Sequence, residues 1–281
     1  MTAHSFVVLH DVVTGDEEVV YAVPDLIEAP NWSPCGTFLV LNGGGRVFRF
    51  DLATGAVRPI DTGPLRALNN DHGISPDGTT LVVSESPARG TSCIFTLPIS
   101  GGTPRRVTDQ VPSYWHGWSP DGQTLTYTAR RDGVFQICTI PVTGGSETQL
   151  THGPGHRDGP DYSHDGQWIW FNSDHHGATP DLWRIRPDGR DLQQMTDDAF
   201  VNWFPHPSPD GAHVLYLAYP SDVTGHPRDC EVTLNLMPPA GGTPKVIAAL
   251  FGGQGTINVP NWAPDGRRFA YVRYARPNVI H

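Results

Sequence analysis

The chain has no run of lysine or arginine, and its 29 acidic residues outnumber 19 basic ones for a formal charge of −10. A phosphate-backbone partner requires a basic footprint, so nucleic acid is excluded as the expected ligand. Nor does any stretch approach the roughly 18 apolar residues of a membrane-spanning helix. Met1-Thr2-Ala3-His4-Ser5-Phe6 is soon followed by Asp11 and Glu17-Glu18 rather than by a long apolar segment, so no secretory signal is read and a cytoplasmic location is expected. Cysteine is scarce. Cys35, Cys93, Cys138 and Cys230 show no Cys-x-x-Cys spacing, which argues against a zinc ribbon or a dithiol redox site and predicts reduced, buried thiols.

Turn residues, by contrast, are abundant, with 31 Gly and 27 Pro in 281 residues. They are organised by one motif in six copies: Trp32-Ser33-Pro34-Cys35-Gly36, Ile74-Ser75-Pro76-Asp77-Gly78, Trp118-Ser119-Pro120-Asp121-Gly122, Tyr162-Ser163-His164-Asp165-Gly166, Pro207-Ser208-Pro209-Asp210-Gly211 and Trp262-Ala263-Pro264-Asp265-Gly266. The glycines at 36, 78, 122, 166, 211 and 266 are 42, 44, 44, 45 and 55 residues apart, a period that means a solenoid or a propeller. Proline pre-sets the first central position of a type I turn, aspartate bonds back to its own backbone, and glycine supplies a positive φ. Strand-like runs such as Leu81-Val82-Val83 and Val214-Leu215-Tyr216-Leu217 follow the turns.

A second marker, at Gly15, Gly55, Gly101-Gly102, Gly144-Gly145, Asp188-Gly189 and Gly241-Gly242, runs half a repeat out of phase. Each repeat is therefore read as four strands, A to D, with the proline turn joining A to B and the glycine turn joining C to D. Gly15 has no proline turn before it and Gly266 no glycine turn after it. The expectation is an all-β, six-bladed propeller forming one domain over 1–281, in which N-terminal strands C and D (5–23) complete the last blade with C-terminal strands A and B (259–274). Ring closure removes long exposed sheet edges.

This repeat, an aromatic before Ser-Pro-Asp-Gly, then Ala129-Arg130-Arg131-Asp132-Gly133, Phe135-Gln136-Ile137, Gly144-Gly145 and Leu150-Thr151, resembles the TolB-like, WD40-like PD40 propeller family over nearly the whole chain. The family includes periplasmic TolB, the propellers of prolyl oligopeptidase-like peptidases, and oligogalacturonate lyases. No counterpart of the additional N-terminal domain of TolB is read in these residues, so a TolB-like role in full is not expected, and no Gly-x-Ser-x-Gly is present for a peptidase serine. Fold alone does not assign an activity.

In such a blade the A–B and C–D turns share one face, and the longer B–C loops and D–A connections share the other, here the upper face. Variable loops on a rigid scaffold are where binding usually sits. His72, His116, His156 and His206 occupy corresponding places entering strand A, nearest the axis. Converging there, neutral imidazoles would suit a divalent transition metal such as Mn, Zn or Ni. Asp71, Asp158, Trp115 and Trp203 would line the same opening, with Arg130, Arg131 and His175 on the B–C loops, the last beside His176. Arginine forks would hold a carboxylated substrate, and Tyr114 or Arg157 would move a proton. Pro205-His206-Pro207-Ser208 resembles a metal-binding segment of oligogalacturonate lyases, and His116 in Trp115-His116-Gly117-Trp118 resembles another. Phe204 and Val201 stand where that family has a second histidine and a glutamine.

Two functions follow as expectations. One is a binding or interaction module taking a small molecule, a carbohydrate or a partner protein at the upper face and channel mouth. The alternative is a metal-dependent lyase or hydrolase acting on oligosaccharides from a histidine-lined site.

Overall fold

A computed structural model describes residues 5–175 and 179–276, so His176 lies outside the described residues. The described chain is all β, in six antiparallel sheets whose inner strands follow one another around an axis. Blade 1 comprises Glu28–Trp32, Phe38–Gly43, Arg46–Asp51 and Val57–Pro59; blade 2 comprises Leu68–Ile74, Thr80–Glu85, Cys93–Pro98 and Arg105–Arg106. Blade 3 runs Ser113–Trp118, Thr124–Arg131, Val134–Pro141 and Thr148–Gln149, and blade 4 runs Arg157–Tyr162, Ile169–Ser173, Asp181–Ile185 and Gln193–Gln194. Blade 5 is the longest, with Val201–Pro207, Val214–Tyr219, Arg228–Met237 and Lys245–Gly253. In blade 6 the C-terminal strand Arg268–Tyr274 pairs with the N-terminal Ser5–Asp11 in unbroken register from Ser5↔Tyr274 to Asp11↔Arg268, and Glu17–Val23 lies outside it.

The turns explain the period. In the third copy Ser119 Oγ donates to Asp121 Oδ1 at 2.6 Å, the Gly122 N–H bonds the Ser119 carbonyl at 2.8 Å, and Gly122 has φ 69°. The same serine oxygen accepts the Thr124 N–H at 2.9 Å, which starts strand B. Ser75–Asp77, Ser163–Asp165 and Ser208–Asp210 repeat the bond at 2.5, 2.6 and 2.5 Å. These aspartates are committed to the turns.

In the first copy Cys35 stands in the aspartate's place and is exposed, not buried as expected. Its thiol lies 3.5 Å from Ser33 Oγ and 3.1 Å from Thr37 Oγ1, and these bonds bring its pKa down to about 7. Cys93 and Cys138 are buried and Cys230 is half-buried, all four being free.

Apolar residues fill the contacts between neighbouring blades. Trp115, fully buried, packs against Gly73 of the preceding blade so closely that a Cβ there would lie 2.0 Å from its ring.

Two departures from the simple repeat position the site. First, strand A of each of blades 1 to 5 carries a register shift, between Glu28/Asn31, Leu68/His72, Trp115/Gly117, Asp158/Asp161 and Trp203/His206. Three of these bulges have a positive-φ residue before a proline: Ala29 (φ 53°), Gly159 (φ 61°) and Phe204 (φ 55°). Proline cannot donate to the ladder, so it breaks the pairing there and re-aims the neighbouring side chains.

Second, residues 259–263 do not form the regular strand A expected of blade 6. Only an isolated bridge, Trp262↔Phe269, is formed. The Val272 N–H bonds the Thr256 carbonyl at 3.1 Å and the Ala270 N–H bonds the Asn261 carbonyl at 2.9 Å, so between these anchors residues 257–260 bow out of the sheet. Ile257, Asn258 and Val259 are buried, with Ile257 packed among blade 5 residues and Val259 among those of blades 1 to 3. The 55-residue interval reflects mainly the long hairpin of blade 5, since Gly211 and Gly241 lie 30 residues apart, and to a lesser degree the segment that plugs the channel.

Candidate functional site

The plug presents buried carbonyls to the inner strands, and buried carbonyls require donors. His206 Nε2 lies 2.6 Å from the Ile257 carbonyl, His116 Nδ1 lies 3.2 Å from that of Asn258, and Asn31 Nδ2 donates to that of Pro260 at 2.6 Å. Strand A of blades 5, 3 and 1 therefore each contributes one side chain to hold the plug. His206 is backed by Asp161 (Nδ1 to Oδ2, 2.9 Å), and Trp262 Nε1 donates to the His206 carbonyl at 2.9 Å.

Above the plug the upper face opens into a cavity of about 380 Å³. Asn69, Asn70 and Asp71 reach it from the blade 2 bulge, Tyr114 and His116 from blade 3, Asp158 from blade 4, Phe204 from the blade 5 bulge, Gln254 from the turn after Gly253, and Asn258 from the plug. Ser86, Thr128, Phe135 and His226 complete the wall. A neighbouring groove of about 480 Å³ shares Phe135, Asp158 and His226 and continues past Trp203, His156 and Asp174. His226 stands between the two, edge-on to Trp203 at 4.3 Å and to Phe204 at 5.3 Å, with Nδ1 bonded to Gln254 Oε1.

At the centre, His116 Nε2 lies 3.3 Å from Asp158 Oδ1, which also accepts from Thr128 Oγ1 and the Gly159 N–H, each at 2.8 Å. His226 Nε2 approaches Asp158 Oδ2 at 3.7 Å. Burial disfavours the Asp158 carboxylate, but the His116 hydrogen bond, the charges of His116 and His226, and Thr128 outweigh it and hold its pKa down at about 2. Burial likewise opposes a charged His116, yet the Asp158 hydrogen bond and the Asp71 and Asp158 charges raise its pKa above the usual histidine value. Asp71 behaves in the opposite way to Asp158. It is only 5% exposed, and burial pushes its pKa up to about 6 against the charge of His116, with the Asp158 charge adding to the rise. Behind the cavity, burial raises Glu28 to about 7, opposed by Arg228 and Asn70. The site thus holds one carboxylate firmly ionised and two carboxyls poised near neutrality.

Of the residues singled out from the sequence, Asp71, Tyr114, His116 and Asp158 meet in the cavity. Burial, with the charges of Asp71 and Asp158, raises the Tyr114 pKa, so its hydroxyl holds its proton. The others are elsewhere. Trp115 is buried between blades, and Trp203 lines the neighbouring groove. His72 is fully buried, bonded through Nε2 to the Val40 carbonyl at 3.2 Å, and burial takes its pKa down to about 4. His156 is exposed and accepts the Phe135 N–H at Nδ1.

The arginines are engaged in the scaffold. Arg157 is buried, donating to the Gly155 and Gly153 carbonyls and Gln136 Oε1, with Nη2 2.6 Å from His175 Nδ1. Arg131 pairs with Glu147 at 2.5 Å and donates to the Pro112 carbonyl and Ser113 Oγ. Arg130 is exposed and donates to the Gly133 carbonyl at 3.1 Å.

The four histidines thus supply no common metal-donor set. His116 and His206 turn both ring nitrogens to oxygen atoms of the protein, and His72 and His156 face other surroundings. Among the described residues no three His, Cys, Asp or Glu side chains are grouped to hold a metal ion. Phe135, Phe204, His226 and Gln254 were not assigned to the site from sequence. The prolines within strand A, at 30, 160 and 205, were the available signal for the bulges that build it.

The architecture is that of a plugged six-bladed propeller with a polar cavity at one channel mouth. A family model described as the TolB beta propeller domain matches residues 115–226. An uncharacterised protein of Agrobacterium fabrum is 50% identical over 272 residues, covering 96% of this chain and 92% of that one. A solved TolB-like protein from Agrobacterium tumefaciens is 48% identical with a TM-score of 0.95, covering 99% of this chain and 100% of that one. The chain belongs to this TolB-like β-propeller family. It is also similar to an oligogalacturonate lyase solved with manganese, at 15% identity and TM-score 0.57, covering 87% of this chain and 72% of that one, a likeness of fold alone.

Proposed function

We propose that the chain is a binding module that takes a small polar molecule at the channel mouth. One observation carries this reading: the cavity has a built floor and wall, drawn from bulged inner strands and from a dedicated plug, with carboxyls, imidazoles, amides and aromatic rings converging on about 380 Å³ of space. That volume and mixed lining are characteristic of small-molecule sites. The metal-dependent alternative finds no support in the donor geometry, since its histidines are occupied by the plug, by Asp158 and Asp161, or by backbone groups.

The test is a pool of polar metabolites incubated with the full chain and read by ligand-observed NMR, beside a Ser86→Trp variant that fills the cavity from its half-buried rim. Wild-type protein should retain a ligand that the folded variant releases. Retention of every bound compound by Ser86→Trp would place binding elsewhere and overturn the reading.

A further inference from the structure

We propose that the ligand of this cavity is a small organic amine, held with its ammonium group against the Asp71 carboxyl and its carbon body against Tyr114, Phe135 and Phe204. The inference rests on the binding-module reading and narrows it to a ligand class.

Asp71 lines the cavity yet is 95% removed from solvent, and apart from the Asn69 amide, which favours its charged form, no side-chain donor is bonded to its carboxylate among the described residues. The bond at this position runs from its backbone N–H to Asn69 Oδ1, at 3.1 Å. Asn69, which acts to lower the Asp71 pKa, also directs its amide nitrogen to Ser86 Oγ at 3.4 Å. The nearby imidazole is already engaged: His116 turns one nitrogen to Asp158 and the other to the plug. No lysine or arginine lines the cavity. The charge of His116 offsets only part of the cost of burying the Asp71 carboxyl, and a buried carboxyl with no cation bonded directly to it tends to keep its proton. The raised pKa of Asp71 is the consequence.

An ammonium group supplies what is missing. It can donate to Asp71 and to the amide oxygen of Asn70, and the lining rings of Tyr114, Phe135 and Phe204 supply aromatic surface of the kind cations favour. A neutral sugar could use the amides and rings but would leave the buried carboxyl without a cation bonded directly to it. A carboxylated ligand would add a like charge beside Asp158.

Matched pairs test this directly: putrescine against its diol counterpart, and glucosamine against glucose. Each is titrated calorimetrically into the full chain near pH 6, in two buffers of different ionisation enthalpy. The amine of a pair should bind about tenfold or more tightly than its neutral partner, a gap of about 1.4 kcal/mol or more. Its binding should release protons as Asp71 ionises. Asp71→Asn should lose both the preference and the proton release while still melting cooperatively. Equal binding of amine and neutral partner, or an unchanged preference in Asp71→Asn, would overturn the amine assignment. Should glucose or the diol bind and Ser86→Trp abolish it, the cavity remains the binding site and only the ligand class is wrong. If no probe binds and the metabolite pool also yields nothing, both readings fall.

Discussion

His116 Nδ1 lies 3.2 Å from the main-chain oxygen of Asn258, joining a bulge in blade 3 to the segment that plugs the channel. Its other nitrogen lies 3.3 Å from Asp158, so one ring connects the floor of the cavity to its ionised wall. The recurrence of histidine on the inner strands has here a structural cause: in two blades the ring supplies a donor to a carbonyl that the plug brings into the interior.

Replacing His116 with alanine should therefore destabilise the protein by about 3 kcal/mol, because it leaves a buried carbonyl and a mostly buried carboxylate without their partner. Urea unfolding at neutral pH measures this. A change below about 0.5 kcal/mol would mean that the plug does not depend on the ring.

The carboxyls predict opposite pH effects. Asp158, whose folded pKa is about 2, contributes stability that is present above its unfolded value of about 3.9 and is lost as pH falls toward 2. His116, raised in the fold, contributes stability that is complete below its unfolded pKa and is lost as pH rises through its folded one. Asp71, raised to about 6, favours the fold most below its unfolded value and loses that contribution as pH rises through 6. Asp71→Asn removes the last effect and weakens the His116 one, to which the Asp71 charge contributes. The variant should be more stable than wild type at pH 8 by about 1–3 kcal/mol, from a shift of roughly two units at 1.36 kcal/mol each, and the gap should close toward pH 4. Denaturation midpoints across pH provide the check, and a gap independent of pH would refute the assignment.

Gly73→Ala places a methyl group 2.0 Å from a ring carbon of Trp115, which is fully buried between blades 2 and 3. Overpacking of this kind costs about 1–3 kcal/mol. A lowered melting temperature with an altered near-UV signal is expected, and an unchanged melt would show that the interface can yield.

The turn aspartates should behave differently from those of the cavity. Asp121→Ala loses the Ser119 hydroxyl and Gln123 N–H bonds in an exposed turn, so about 1 kcal/mol of stability should go while ligand binding remains unchanged. Chemical denaturation beside the metabolite NMR assay separates the two effects.

The sequence by itself determined the period, the two kinds of turn and the six-bladed architecture, because these depend on local chemistry: proline at one turn position, a serine–aspartate bond beside it, and glycine at positive φ. The same local logic placed Asp71, Tyr114, His116 and Asp158 at one level of the ring. Only the tertiary structure decided which of that level's residues meet. A bulge re-aims a side chain by an amount that residue spacing does not encode, so His72 and His116, alike in sequence position, end against a blade 1 carbonyl and in the cavity wall. The plug before Trp262 was not legible, because the longer interval comes mostly from the blade 5 hairpin and because residues 257–260 gain their donors from blades 1, 3 and 5, more than fifty residues away along the chain. The arginines were misplaced for a related reason: a guanidinium satisfies whichever carbonyl or carboxylate packing brings to it, and for Arg157 and Arg131 those acceptors lie within the scaffold.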